Sequence, residues 1–442
     1  MSKQKSIPVV RKELLFPFII ITSLFALWGI ANDLTNPMVS AFKKVMPELS
    51  NVQASLVQFA FYFGYFFMAL PAALFIRKYS YKSGIILGLS LYALGAFLFY
   101  PAAAYEEFNY FLISLWVITC GLAFLETTSN PLILALGDSE TATQRLNLAQ
   151  AFNPVGSLTG MIIAQVFVIG ALRSDDYTTE AYNALTSDEL AAIRENDLGV
   201  ISVPYIALGV LVLIIMGVII ATKMPKTAEE DKMSLSESFK KLKSNKNYIF
   251  GVVAQAFYVG AQIMCWTYIF QYVDNINETY GTDYTATYFN VAAMVSFLTG
   301  RWIGTALMKK INPSKLLMFF GIGGVIMCTG AVLLSGLPGL LSLVAISIFM
   351  SIMFPTIYGI ALKDMGDEAK IGSAGLVMAI VGGALMPVLQ GSILDWGGSG
   401  FSDVKIFGFI PEVNFSFILP LICLGVVAFY GYTSYNRNLK KS

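Results

Sequence analysis

A chain of 442 residues that is 56% hydrophobic and only 13% charged lies far from the globular average of ~25% charged residues and reads as an integral membrane protein. Its formal net charge of +1 argues against a nucleic-acid partner, which needs a basic stripe as its electrostatic footprint. With no histidine anywhere, histidine bases, metal ligands and proton relays are excluded together, and proton chemistry falls to carboxylates.

The N-terminus, with Lys3, Lys5, Arg11 and Lys12, is basic and runs into a full-length apolar stretch without a small-residue cleavage signature. It reads as a cytoplasmic lead-in and not as a signal peptide. Apolar runs of the ~20 residues that a helix needs to cross a bilayer follow. Spans 1 to 6 fall at about 15 to 42, 52 to 76, 83 to 104, 108 to 137, 145 to 172 and 201 to 222. Spans 7 to 12 fall at about 248 to 273, 284 to 308, 314 to 335, 338 to 362, 371 to 396 and 408 to 434. Nearly all are uninterrupted, whereas a barrel strand alternates over ~10 residues. The expected fold class is therefore an all-α membrane protein with twelve transmembrane helices. Residues 1–222 are expected to form one six-helix bundle, 223–247 a cytoplasmic linker, and 248–442 a second six-helix bundle.

Lys and Arg set the orientation. Most of the 29 lie on one side of the spans, in alternate loops and at both ends, leaving Lys43, Lys44, Arg173, Arg194 and Lys405 on the other. Both termini are expected in the cytoplasm of a multi-pass protein of the plasma membrane, the inner membrane of a bacterium. The external loop at about 173 to 200 is acidic, and Thr186-x-x-Glu189 reads as a capping box that starts a short surface helix. In the linker, Leu235, Phe239 and Leu242 recur at helical spacing beside Lys240, Lys241 and Lys243, which suits a helix lying on an anionic leaflet. The basic turn LFIRKYSYKSG after span 2 is echoed by ALMKKINPSKL after span 8, and Pro131 and Pro355 fall late in spans 4 and 10. A parallel repeat of this size points to a transporter whose halves rock about a midplane site.

Chemistry concentrates in a few polar positions. Glu126 sits within the apolar run GLAFLETTSNPLILALG, and an acidic residue at a helix centre is disfavoured by roughly 3 kcal/mol, so it is expected to face a polar pathway. Asn130 lies one turn further on the same face, and Pro131 tends to kink the helix there. In span 1, LWGIANDLTNP places Trp28, Asp33 and Asn36 among apolar residues, with Asp33 and Asn36 sharing a face. Span 5 opens RLNLAQAFNPVG, where Gln150 and Asn153 offer amide donors and acceptors together, the inventory that sugar hydroxyls need. Span 7 carries Tyr258, Gln262 and Trp266 as an aromatic and amide stripe. Helix-to-helix hydrogen bonding is the other reading of these amides. Arg145 and Arg301, near span ends, read as side chains that snorkel to the interface. The four cysteines sit singly with no C-x-x-C pair, so they read as packing residues, and no metal site is expected.

FALWGIAND, QFAFYFGYF, IRKYSYKSG, LETTSNP, RLNLAQAFN, YVGAQIMCW and FPTIYGI, taken in order, resemble the fucose, galactose and glucose:cation symporter branch of the major facilitator superfamily. The resemblance runs from span 1 to span 11. It implies the major facilitator fold, two six-helix bundles around a central cavity, and alternating-access uptake of L-fucose or a related hexose by symport with protons. Sodium-coupled glucose or galactose symport is the alternative, and a drug:proton antiporter a more distant one. By position, the resemblance implies cation coupling at Glu126 and sugar contacts at Gln150 and Asn153. Where the family's L-fucose carriers have N-N-L-N-D, this chain has Asn32-Asp33-Leu34-Thr35-Asn36, so the acid stands one turn earlier, at Asp33. The tyrosine expected in span 10 is Phe354, with Tyr358 one turn later, and both are gating candidates. The expected partners are a small sugar, the coupling cation and the bilayer. No nucleic acid, obligate protein partner or cofactor is expected, nor an enzyme's nucleophile with its base.

Overall fold

The computed structural model describes residues 7–35, 38–46, 49, 51–177, 185–224, 234–394 and 405–440. Eleven of its helices are long and apolar enough to cross a membrane. A further helix, Ala286–Leu307, has 22 residues and spanning length, but Asn290, Thr299, Arg301 and Thr305 lower its apolarity. It supplies the remaining span of the twelve expected, at span 8. Beyond the helices, the described residues contain a small antiparallel pairing of Lys405–Ile406 with Ile410–Pro411.

The expected capping box is present at Thr186 and Glu189, and the helix it opens continues far beyond a short surface helix. Ser187–Ala221 is one helix of 35 residues, about 50 Å at 1.5 Å per residue, so the expected short surface helix and span 6 are a single rod. The reason is local: nothing between Asp197 and Tyr205 breaks the backbone pattern except Pro204, and the helix continues through it.

Contacts divide the chain into two compact units. One comprises Lys12–Leu132 and Phe152–Thr227. Within it, span 1 (Leu15–Thr35) packs on the later part of span 5, Asn153–Ile163, at backbone-to-backbone distance. A Cβ at Gly156 would lie 1.9 Å from the Ala26 carbonyl oxygen, and one at Gly160 would lie 2.5 Å from that of Ile30. Gly156-x-x-x-Gly160 is thus the small-residue pattern that lets membrane helices approach closely. It was open to view in the sequence and unread there.

The other unit comprises Met1–Arg11, Ile133–Ala151 and Ala228–Ser442. The 133–151 segment, which ends span 4 and begins span 5, groups here with spans 7 to 12. Arg145 organises its turn. The Nε donates to the Ile133 carbonyl at 2.8 Å, Nη2 to Leu134 at 2.6 Å, and Nη1 to Val9 at 3.1 Å. The last carbonyls of a helix have no partner within it, and this guanidinium satisfies two of them. Arg145 is fully buried and Arg301 is 3% exposed, so neither snorkels. Each turns inward toward backbone carbonyls. Outside the spans, Arg11 pairs with Asp138 at 2.5 Å and holds that carboxyl below its usual range. The linker helix Leu235–Ser244 docks through Ser238 and Leu242 and through a 2.7 Å Lys241–Glu368 ion pair. Leu235 and Phe239 stay exposed.

Candidate functional site

In the first unit, the acid of span 4 lies inside the helix Phe108–Ala135, which runs through Pro131 without interruption. Glu126 is 2% exposed and Asn130 fully buried. Asn130 Nδ2 donates to the Glu126 carbonyl at 3.1 Å and stands 3.5 Å from Oε1. Oε2 is enclosed, with no hydrogen-bond partner among the described residues. Leaving a buried carboxyl oxygen without a donor carries a desolvation cost.

An aromatic pair lies near it. Tyr65 lies within electrostatic reach of Glu126, and its hydroxyl accepts a hydrogen bond from Trp28 Nε1 at 2.5 Å. The two rings stack with centroids 6.3 Å apart. Asp33, 9% exposed on the same helix as Trp28, lies within electrostatic reach of Tyr62. Asn153 is half-buried, and its Nδ2 donates to the Phe25 carbonyl at 3.3 Å. The glycine contact between spans 1 and 5 therefore brings Trp28, Asp33 and Asn153 onto adjoining elements. Asn36 lies outside the described residues.

Gln150 belongs to the other unit. It and Asn153 do not share a continuous helix: Ala142–Gln150 ends, Ala151 and Phe152 form a turn, and Asn153–Ile163 begins. Pro154 is the cause. Its nitrogen carries no proton, so the carbonyl four residues earlier, that of Gln150, loses its helical donor. Span 10 repeats the device: Leu337–Met350 and Met353–Ala361 are separate helices, and Pro355 leaves the Ser351 carbonyl without its donor. Arg301 serves both carbonyls, donating from Nη1 to Gln150 at 3.0 Å and from Nε to Ser351.

The expected stripe in span 7 is split by its surroundings. Tyr258 is fully buried and contacts Phe354, whose ring stacks on Tyr358 with centroids 6.3 Å apart. Trp266 is half-buried, donates from Nε1 to Ser347 Oγ at 3.2 Å, and meets Phe297 edge-on. Gln262, also half-buried, lies one turn from each. Tyr258, Phe354 and Tyr358 thus form one cluster, with Trp266 on the next one, where Phe297 carries the Arg301 guanidinium 4.9 Å over its ring. No group of His, Cys, Asp or Glu suited to a metal occurs among the described residues.

A family model described as the Major Facilitator Superfamily matches residues 15–389. The chain is 52% identical over 432 residues to the L-fucose-proton symporter of Haemophilus influenzae, covering 97% of this chain and 98% of that one. It is 33% identical over 419 residues to a glucose/galactose transporter of Brucella abortus, covering 93% and 92%. The crystal structure of the transporter FucP in the outward conformation superimposes with a TM-score of 0.84 at 32% identity, over 96% of this chain and 99% of that one. Matched by the family model across most of its length, and folded as such a structure is, the chain belongs to the Major Facilitator Superfamily.

Proposed function

We propose that the chain is a secondary active transporter, not an enzyme, which imports L-fucose or a related hexose by symport with protons. The observation that carries this reading is Glu126, a carboxyl buried within a span, held on one side by Asn130 and with Oε2 without a donor. The name of the Haemophilus relative supports the sugar and the ion. In the proposed cycle Glu126 takes up a proton when its pathway opens to one side and gives it up on the other, with Asp33 as the second acid. Gln150 and Asn153 hold sugar hydroxyls, with Asn130, Asn36 and Gln262 as further polar contacts, while Trp28, Tyr258 and Trp266 offer the ring its aromatic surfaces. Phe354 and Tyr358 gate. By linkage, the proton drives sugar only to the extent that it binds the two states differently.

In this reading residues 1–222 and 248–442 are the moving halves and 223–247 joins them. The protein sits in a bacterial inner membrane with both termini cytoplasmic. Sodium-coupled glucose or galactose uptake is the second reading, favoured by Asn36 standing where the family's L-fucose carriers have an acid, and by the name of the Brucella relative. Purified protein in proteoliposomes separates the two. L-fucose accumulation under an imposed proton gradient, abolished by a protonophore, is expected. Accumulation that follows a sodium gradient alone would transfer the function to the second reading.

A further inference from the structure

One face of the helix Ala142–Gln150 is zipped to spans 8 and 10, all within a single compact unit. Asn147 Nδ2 donates to Thr356 Oγ1 at 3.1 Å, and both residues are fully buried. Gln144 Nε2 donates to the Thr305 carbonyl at 3.1 Å. A Cβ on Gly359 would come within 2.7 Å of Thr143 Oγ1, so the helices touch there with no room for a side chain. Thr143, Asn147 and Gln150 recur at helical spacing, as do Thr356 and Gly359, and as do Arg301 and Thr305. Three short stretches therefore meet along one polar seam.

Arg301 ends that seam and differs from the rest of it. Its guanidinium forms no salt bridge with any described residue, although a buried charge ordinarily requires a charged partner. Its acceptors are instead two carbonyls, of Gln150 and Ser351, and each is available because a proline stands four residues later. Charge-assisted bonds to such carbonyls are stronger than neutral ones. One side chain thus links the break in span 5 to the break in span 10.

We propose that Arg301 is a positioning residue for transport: it clasps the two proline breaks and keeps the seam shut in one state of the cycle, releasing Gln150 when the seam parts. The proposal rests on the transporter reading above, but not on which sugar or ion is carried. It also assigns Pro154 and Pro355 a role, that of leaving a carbonyl for Arg301. Because Gln150 is a sugar candidate through its side chain and a clasp through its carbonyl, sugar binding and seam closure act on the same residue.

The test is the rate at which a membrane-permeant maleimide labels a Thr143→Cys reporter in purified, full-length protein without sugar or gradient. The four native cysteines are buried, and protein lacking the reporter supplies the background. Arg301→Gln is expected to raise the labelling rate about fivefold or more, the scale of an ordinary coupling between two states. Arg301→Lys should restore part of the protection, since it keeps the charge but not the fork that reaches two carbonyls. Pro154→Ala returns a helical donor to Gln150 and should shift the rate in the same direction. Combined with Arg301→Gln it should add little, because Arg301→Gln already removes the Gln150 bond that Pro154→Ala competes for. Labelling equal to the parent's in Arg301→Gln and Pro154→Ala, each monodisperse on size exclusion, overturns the proposal. If Arg301→Gln does not fold, Pro154→Ala and Arg301→Lys decide it by the same rates. Since no transport is measured, failure of the clasp is distinct from failure of the symporter reading.

Discussion

Glu126 and Asp33 are both acids in membrane spans, and their surroundings differ. Glu126 has an amide neighbour on its own helix, while Asp33 stands one turn before the position at which the family's L-fucose carriers keep an acid. If Asp33 has taken over coupling from that position, Asp33→Asn abolishes uphill accumulation yet leaves sugar exchange across equilibrated vesicles, since exchange needs no net cation movement. Accumulation that persists in Asp33→Asn would leave Glu126 as the sole coupling group. For Gln150 and Asn153 the expected loss follows from stranded hydroxyls. Replacing either by Ala leaves buried partners unpaired at about 1 to 3 kcal/mol, roughly tenfold or more in Kd by calorimetry. Unchanged binding in both variants would return the amides to packing.

At the scale of elements, the contact of span 1 with span 5 has no slack. Gly156→Ala places a methyl group 1.9 Å from a backbone oxygen, so the helices must part, and overpacking of this kind destabilises by about 1–3 kcal/mol. A Tm several degrees below the parent's is the expected result, and an unchanged Tm would mean that the two helices are not so closely apposed. The linker helix answers to pH through its capping box. Ser234 accepts from the Glu237 N–H, and the Glu237 carboxylate accepts from the Ser234 hydroxyl and N–H. The hydroxyl first, then the backbone, lowers the Glu237 pKa from its ordinary value. A lowered folded-state value means that the cap's stabilisation is fully present above the unfolded-state pKa and is lost as pH falls through the folded one. Amide exchange in residues 235–244, corrected for intrinsic rates, should therefore rise on acidification below the usual Glu range, and should rise less in Glu237→Gln.

At the scale of the whole molecule, the sense of the chain in the membrane follows from its charges. Ser187 and Ser236 are both exposed, and the Lys and Arg distribution predicts opposite sides for them. An impermeant thiol reagent on intact cells should label Ser187→Cys and spare Ser236→Cys. The reverse pattern would invert the orientation and move both termini outside.

Much of this architecture was legible because a bilayer imposes simple rules. Spanning length, apolarity and the sidedness of Lys and Arg are properties of single segments, and twelve helices of spanning length follow from them even where span 8 is diluted by Asn290 and Arg301. Glu126 was legible for the same reason, since an acid in an apolar run is conspicuous whatever it touches. Arg301 was not. In the sequence it stands near a span end like any snorkelling arginine, and only packing shows that it turns toward two carbonyls 151 and 50 residues away along the chain. The break between Gln150 and Asn153 was half visible, since Pro154 announces a lost hydrogen bond without saying which donor replaces it. Composition and periodicity specify what each segment must bury. Which buried group meets which is decided by long-range packing, because the donors that satisfy a proline-freed carbonyl come from helices distant in the chain.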